Sequence, residues 1–237
     1  MQKFVIFFTT VLFVAVGLLL YAEYFGTTWQ MFGYKLVAMS AIIFLAIYKA
    51  RLSFGFYRYA VILGLCFSLC GDLLLVFPEY FLYGLIVFLV AHLWYTVAFI
   101  KEKPFQLKWK PLLVAAAYGS AVYIFLWSSL ANFKIPVLIY LIVILIMGWQ
   151  AHDRWLQNHQ FSSKLAFWGA ILFIISDTIL AINKFHTPFL LARVLSLSTY
   201  FGAQYFIALS IDIRSSMFYP KPTIDTDSLE DSEPEES

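Results

Sequence analysis

Asp72 in "SLCGDLLLVF" and Asp177 in "FIISDTILA" each interrupt a run that is otherwise apolar or small. A charged side chain in the middle of hydrocarbon costs about 2.5–3.5 kcal/mol on insertion scales, so an ionisable residue there is a functional hypothesis by default. A pair of buried carboxyls in unlike surroundings can divide two tasks, one giving a proton and the other staying ionised. That is the chemistry of general acid–base catalysis. A plainer reading is that each aspartate bonds a nearby Ser, Tyr or Lys and locks a helix bundle. The residues themselves leave both readings open.

Other polar groups share the apolar background. His92 and Tyr95 stand three apart, which puts them on one helix face. Arg193, Ser196, Tyr200 and Gln204 follow at steps of three, four and four, a polar stripe that belongs against protein or a wet cavity rather than lipid. Asn183 and Lys184 follow Asp177, and Lys35 opens an apolar stretch of its own.

The elements that must position these groups are transmembrane helices. Of the 237 residues 62% are hydrophobic and 13% charged, the composition of a membrane protein. A hydrocarbon core of about 30 Å takes roughly 20 apolar residues per helix. Such stretches predict eight helices, near 4–22, 33–49, 57–77, 80–100, 111–129, 135–151, 165–183 and 189–212. The expected fold class is therefore all-α, a polytopic membrane domain over 1–214. Residues 215–237 are expected to form a disordered tail, since "TIDTDSLEDSEPEES" holds seven acids and no basic or aromatic residue. The first apolar run is long for a signal peptide, and "LYAEY" makes a poor cleavage site, so it is read as a true span.

Twelve of the sixteen Lys and Arg residues fall on the segments that would be inside if the N-terminus is cytoplasmic, which predicts both termini in the cytoplasm. An offset of 105 residues lays Gly64 on Gly169, Asp72 on Asp177, Leu75 on Leu180 and Tyr95 on Tyr200. Four helices separate the copies, so a 4+4 parallel repeat would set both aspartates at equal depth.

Taken in order, "GYKLVAM", "FSLCGDLLL", "FLVAHLWYTVAF", "WGAILFIISDTILA" and "TYFGAQYFIALS" resemble the successive motifs of the YhhN-like lysoplasmalogenases, over roughly 33–212. The resemblance implies an eight-helix ether hydrolase that cleaves the sn-1 vinyl ether of a lysoplasmalogen. The products would be a fatty aldehyde and glycerophosphoethanolamine or glycerophosphocholine. It makes Asp72 and Asp177 the catalytic candidates and Lys35 the family's basic residue on the second helix. With that substrate, His92 or Tyr95 would orient the acid or relay a proton. Lys35 and Arg193 would hold the phosphate, and Tyr200, Gln204 and Asn183 would line the pocket. No cofactor is implied. The expected partners are the lysophospholipid and the bilayer, in a bacterial inner membrane or an intracellular eukaryotic one.

Other chemistries fit less well. His92, His152, His159 and His186 lie on different segments, which argues against a zinc site. Cys66 and Cys70, four apart on one helix, read as packing residues. "CGD" lacks the glycine that an intramembrane aspartyl protease motif needs at position 69. The basic loop "KEKPFQLKWK" (101–110) suits anionic lipid rather than nucleic acid. The rival from another class is a small proton-coupled membrane transporter, for which paired intramembrane acids are also common.

Overall fold

The computed structural model describes residues 2–53, 55–102 and 109–211. The acidic tail 215–237 and its boundary at 214, together with Arg214, Lys221 and the middle of the 101–110 loop, lie outside the described residues. Among the described residues all regular structure is helical. The eight helices are α1 (Gln2–Phe25), α2 (Thr28–Arg51), α3 (Phe56–Leu74), α4 (Phe81–Glu102), α5 (Trp109–Leu126), α6 (Lys134–Asn158), α7 (Phe161–Ala181) and α8 (Ala192–Leu209).

Local chemistry sets the ends. Thr27 and Gln30 form a reciprocal cap on α2, with Gln30 N donating to Thr27 Oγ1 (3.3 Å) and Thr27 N donating to Gln30 Oε1 (2.8 Å). Helix α3 stops earlier than the expected 77, because Phe77 precedes Pro78 and takes an extended conformation. Helix α6 runs past 151 to Asn158, since Asp153 and Arg154 are both buried and continue its packed face. It ends at His159 in the left-handed conformation (φ 49°). The turn after α7, Ile182–His186, is π-helical.

Among the described residues seven helical segments are long and apolar enough to cross a bilayer by length and composition. Helix α8, at 18 residues, is not one of them: Arg193, Gln204 and several hydroxyls lower its hydropathy. Its polar face is nevertheless enclosed by protein, with Ser196, Tyr200 and Gln204 all buried. Large apolar side chains such as Phe7, Phe13, Val114 and Ile124 cover the outside, as expected where lipid is the solvent. The chain is an integral, multi-pass membrane protein.

Small residues let the helices approach. Ala38, Ala60, Ala91, Ala98, Ala166, Ala170 and Ala203 are all fully buried. Helix α3 packs along α4, α7 along α8 and α1 along α2, while α5 leans on α6 at the rim. At Gly64 on α3 an added Cβ would stand 2.3 Å from the Tyr95 ring of α4. At Gly169 on α7 it would meet Ile207 of α8 at 2.8 Å. Both glycines thus mark close crossings, and the first of them seats Tyr95 directly beneath the polar site.

Candidate active site

A cavity of about 660 Å³ opens among the helix ends where α3 and α7 finish and α2 and α8 begin. Asp72 and Asp177 both line it, with Lys35, Asn183, Arg193 and Tyr200. Its deeper wall is apolar, made by Leu85, Leu126, Leu141, Ile144 and Ile174.

The two carboxylates are held differently. Asp72 is 3% exposed and has both oxygens engaged. Lys35 Nζ lies 3.7 Å from its Oδ1 and 3.5 Å from its backbone carbonyl. The Tyr200 hydroxyl donates to its Oδ2. An ammonium beside a buried carboxylate compensates the charge that burial would otherwise penalise. Among the described residues no ion pair is made to Asp177; its Oδ2 accepts from the Tyr140 hydroxyl of α6 at 2.5 Å.

Behind Asp72 runs a chain of hydrogen bonds that all lead toward it. Ser68 Oγ and the Tyr95 hydroxyl are 3.4 Å apart. Tyr95 donates to Gln204 Oε1 (2.7 Å), Gln204 Nε2 donates to the Tyr200 hydroxyl (3.1 Å), and Tyr200 donates to Asp72. Aligned donors polarise one another in a low-dielectric interior, so the last bond gains from those before it. Tyr95 and Gln204 therefore reach the cavity wall through Tyr200 rather than lining it.

His92 lies elsewhere. It is fully buried in a cage of rings, with centroids 4.5 Å from Phe173, 5.3 Å from Tyr140 and 6.4 Å from Tyr95. It neither lines the cavity nor hydrogen-bonds an aspartate, and touches the site only as packing behind Tyr140. Arg193 sits at the mouth, 61% exposed in its side chain, and pairs with Glu23 of α1 at 2.7 Å. Asn183 Oδ1 accepts from the Phe189 backbone (3.3 Å) and ties down the turn before α8. Ser196 and Ser176 exchange bonds onto each other's backbone carbonyls (2.9 and 3.2 Å), clamping α8 to α7 beside Asp177.

Tyr140 and Glu23 were not singled out from the sequence. A tyrosine in an apolar helix carries no signal by itself. Yet Tyr140 stands 105 residues after Lys35, so the offset that relates the two aspartates also relates the partners they take from α2 and α6. Glu23 is the lone acid of α1. Among the described residues no three His, Cys, Asp or Glu side chains converge as a metal site would require.

A family model described as the YhhN family matches residues 30–211. "Uncharacterized membrane protein YhhN" of Escherichia coli O157:H7 is 28% identical over 191 residues, covering 80% of this chain and 91% of that protein. "Lysoplasmalogenase TMEM86A" of Homo sapiens is 36% identical over 162 residues, covering 63% of this chain and 64% of its own length. "Lysoplasmalogenase TMEM86B" of Sus scrofa is 34% identical over 179 residues, covering 74% and 72%. No solved structure matches this chain.

Proposed function

The chain belongs to the YhhN family, and on that footing we propose that it is a lysoplasmalogenase, a hydrolase of the sn-1 vinyl ether bond of lysoplasmalogens. The observation that carries the reading is the placement of Asp72 and Asp177, from separate helices, on the wall of one cavity with unlike partners. Two relatives named lysoplasmalogenase support it. A proton-coupled carrier is not favoured by them.

The chemistry follows from the substrate. A vinyl ether is hydrolysed by protonation of its β-carbon, which leaves an oxocarbenium ion on the carbon bearing oxygen. Water then adds there, giving a hemiacetal that breaks to an aldehyde and the glycerol hydroxyl. Asp177, which makes no ion pair among the described residues, is suited to carry the proton. Among the described residues no hydrogen bond is made to its Oδ1, and the residue lines the cavity. Asp72, paired with Lys35, is suited to stay ionised, to stabilise the cation and to take a proton from the attacking water. This is the division of labour used on glycosides, which pass through a similar cation.

The cycle closes without a cofactor. After water adds, Asp72 holds a proton and Asp177 is ionised. As the hemiacetal collapses, Asp72 protonates the departing glycerol oxygen and Asp177 takes the hemiacetal hydroxyl proton. Both residues return to their starting states. The apolar wall of Leu85, Leu141, Ile144 and Ile174 suits the alkenyl chain, and Arg193 suits the phosphate, while Lys35, expected to share that task, is held by Asp72. His92 has no role in this scheme; Tyr95 and Gln204 hold Tyr200 in place.

The test is direct. Purified protein in detergent, given a lysoplasmalogen and separately its saturated 1-alkyl analogue, should release aldehyde from the first alone. Release of aldehyde from neither would overturn the assignment.

A further inference from the structure

Glu23 is a buried acid that the proposed chemistry does not use. Its side chain is 5% exposed, and it lies where the deep cavity meets a shallower outer recess, lining both. Among the described residues its ionic partner is Arg193, which also lines both and is largely exposed. The surroundings are held in place: the Tyr24 hydroxyl, one residue on, donates to the Leu190 carbonyl at 2.6 Å and fastens the end of α1 to the segment leading into α8. Among the described residues three cations reach the cavity, namely Lys35, Lys184 and Arg193, and Lys35 is already committed to Asp72. Besides the two aspartates, Glu23 is the one carboxylate on the cavity wall among the described residues.

We propose that Glu23 and Arg193 form a subsite for a zwitterionic phospholipid head group, with Glu23 taking the ammonium while Arg193 takes the phosphate. This rests on the lysoplasmalogenase reading and extends it to the head group. An ion pair at a mouth is exchanged at little cost by a ligand that brings both signs, because each charge trades one partner for another. A ligand that brings only a phosphate takes Arg193 and strands a nearly buried carboxylate, and an unpaired buried charge is costly. The subsite thus selects by what it leaves uncompensated as much as by what it attracts. The selection runs against the simplest expectation, since three cations at the cavity would by themselves favour the more anionic head group.

The experiment compares kcat/KM for two lysoplasmalogens with the same alkenyl chain, one with a phosphoethanolamine head group and one with a bare phosphate. The full-length protein should prefer the zwitterion by about tenfold or more, the scale on which a stranded interfacial charge acts. Glu23→Gln removes the carboxylate with almost no change of shape and should bring the ratio to within about twofold, by weakening the zwitterion and improving the bare phosphate. Should that variant fail to fold, the double variant Glu23→Gln/Arg193→Gln leaves neither charge stranded and should give the same parity. A native preference for the bare phosphate, or a variant that keeps the native ratio, would overturn the proposal. Absence of aldehyde from both substrates with the unaltered protein would instead strike the hydrolase reading on which it stands.

Discussion

Tyr200 of α8 donates its hydroxyl to the carboxylate of Asp72 on α3, as the last link of a chain that starts at Ser68 and passes through Tyr95 and Gln204. Replacing Tyr200 with Phe removes that donor and leaves Gln204 Nε2 without its acceptor. A hydrogen bond to a charged group is worth about 1.5–3 kcal/mol, so kcat should fall by roughly 10- to 100-fold in an aldehyde assay. Gln204→Leu, one step further back, should cost less.

The Lys35–Asp72 pair makes a prediction about stability as well as rate. Both side chains are buried, and removing one partner of a buried pair costs about 3–5 kcal/mol. Lys35→Met should lower the melting temperature in detergent and abolish activity. Adding Asp72→Asn to it removes the stranded charge, so the double variant should recover most of the melting temperature and none of the activity. If the double variant is no more stable than Lys35→Met, charge compensation is not what Lys35 supplies.

Tyr140 anchors one oxygen of Asp177 and leaves the other to the cavity. Tyr140→Phe should lower kcat by about tenfold, in line with one lost hydrogen bond, with KM near its native value. An equal fall for a substrate that needs no proton at carbon would show that Tyr140 acts through packing.

Gly64 tests the architecture under the site. A methyl group there would overlap the Tyr95 ring, so Gly64→Ala should push Tyr95 away from Gln204 and cost about 1–3 kcal/mol of stability. Gly33→Ala, where an added Cβ meets nothing within 4 Å, is the control and should be silent.

The path of the atoms is open to labelling. In deuterium oxide the aldehyde, trapped by reduction as it forms, should carry one new deuterium on the carbon next to the former carbonyl. Label at any other carbon would rule out protonation of the vinyl ether.

Much of the site was readable from the sequence because hydrocarbon makes polar residues conspicuous. Asp72 and Asp177 stand out in apolar runs, and the three-and-four spacing on α8 placed Ser196, Tyr200 and Gln204 on one protein-facing side. For His92 the same spacing argument gave the neighbour but not the surroundings. Its distance from Tyr95 was right, but a helix face alone does not say whether a residue meets a cavity or a cage of rings. Tyr140 was invisible for the opposite reason, since a tyrosine in "VLIYLIV" looks like any interfacial aromatic until the aspartate from α7 arrives beside it. Helix ends went astray where chain-local rules compete with packing. The polar run "HDRWLQN" looked like a loop, but Asp153 and Arg154 are buried and α6 continues through them.

The central claim is that two carboxyls act on one bond. Asp72→Asn and Asp177→Asn keep the shape of each side chain and remove its acid–base function. Each variant should remain monodisperse and helical in detergent, Asp72→Asn at a lower melting temperature because it strands Lys35, yet release aldehyde from a lysoplasmalogen at least about a thousandfold more slowly, the scale of lost general acid–base catalysis with some electrostatic stabilisation. Turnover within a few-fold of the native protein in either variant would contradict the account.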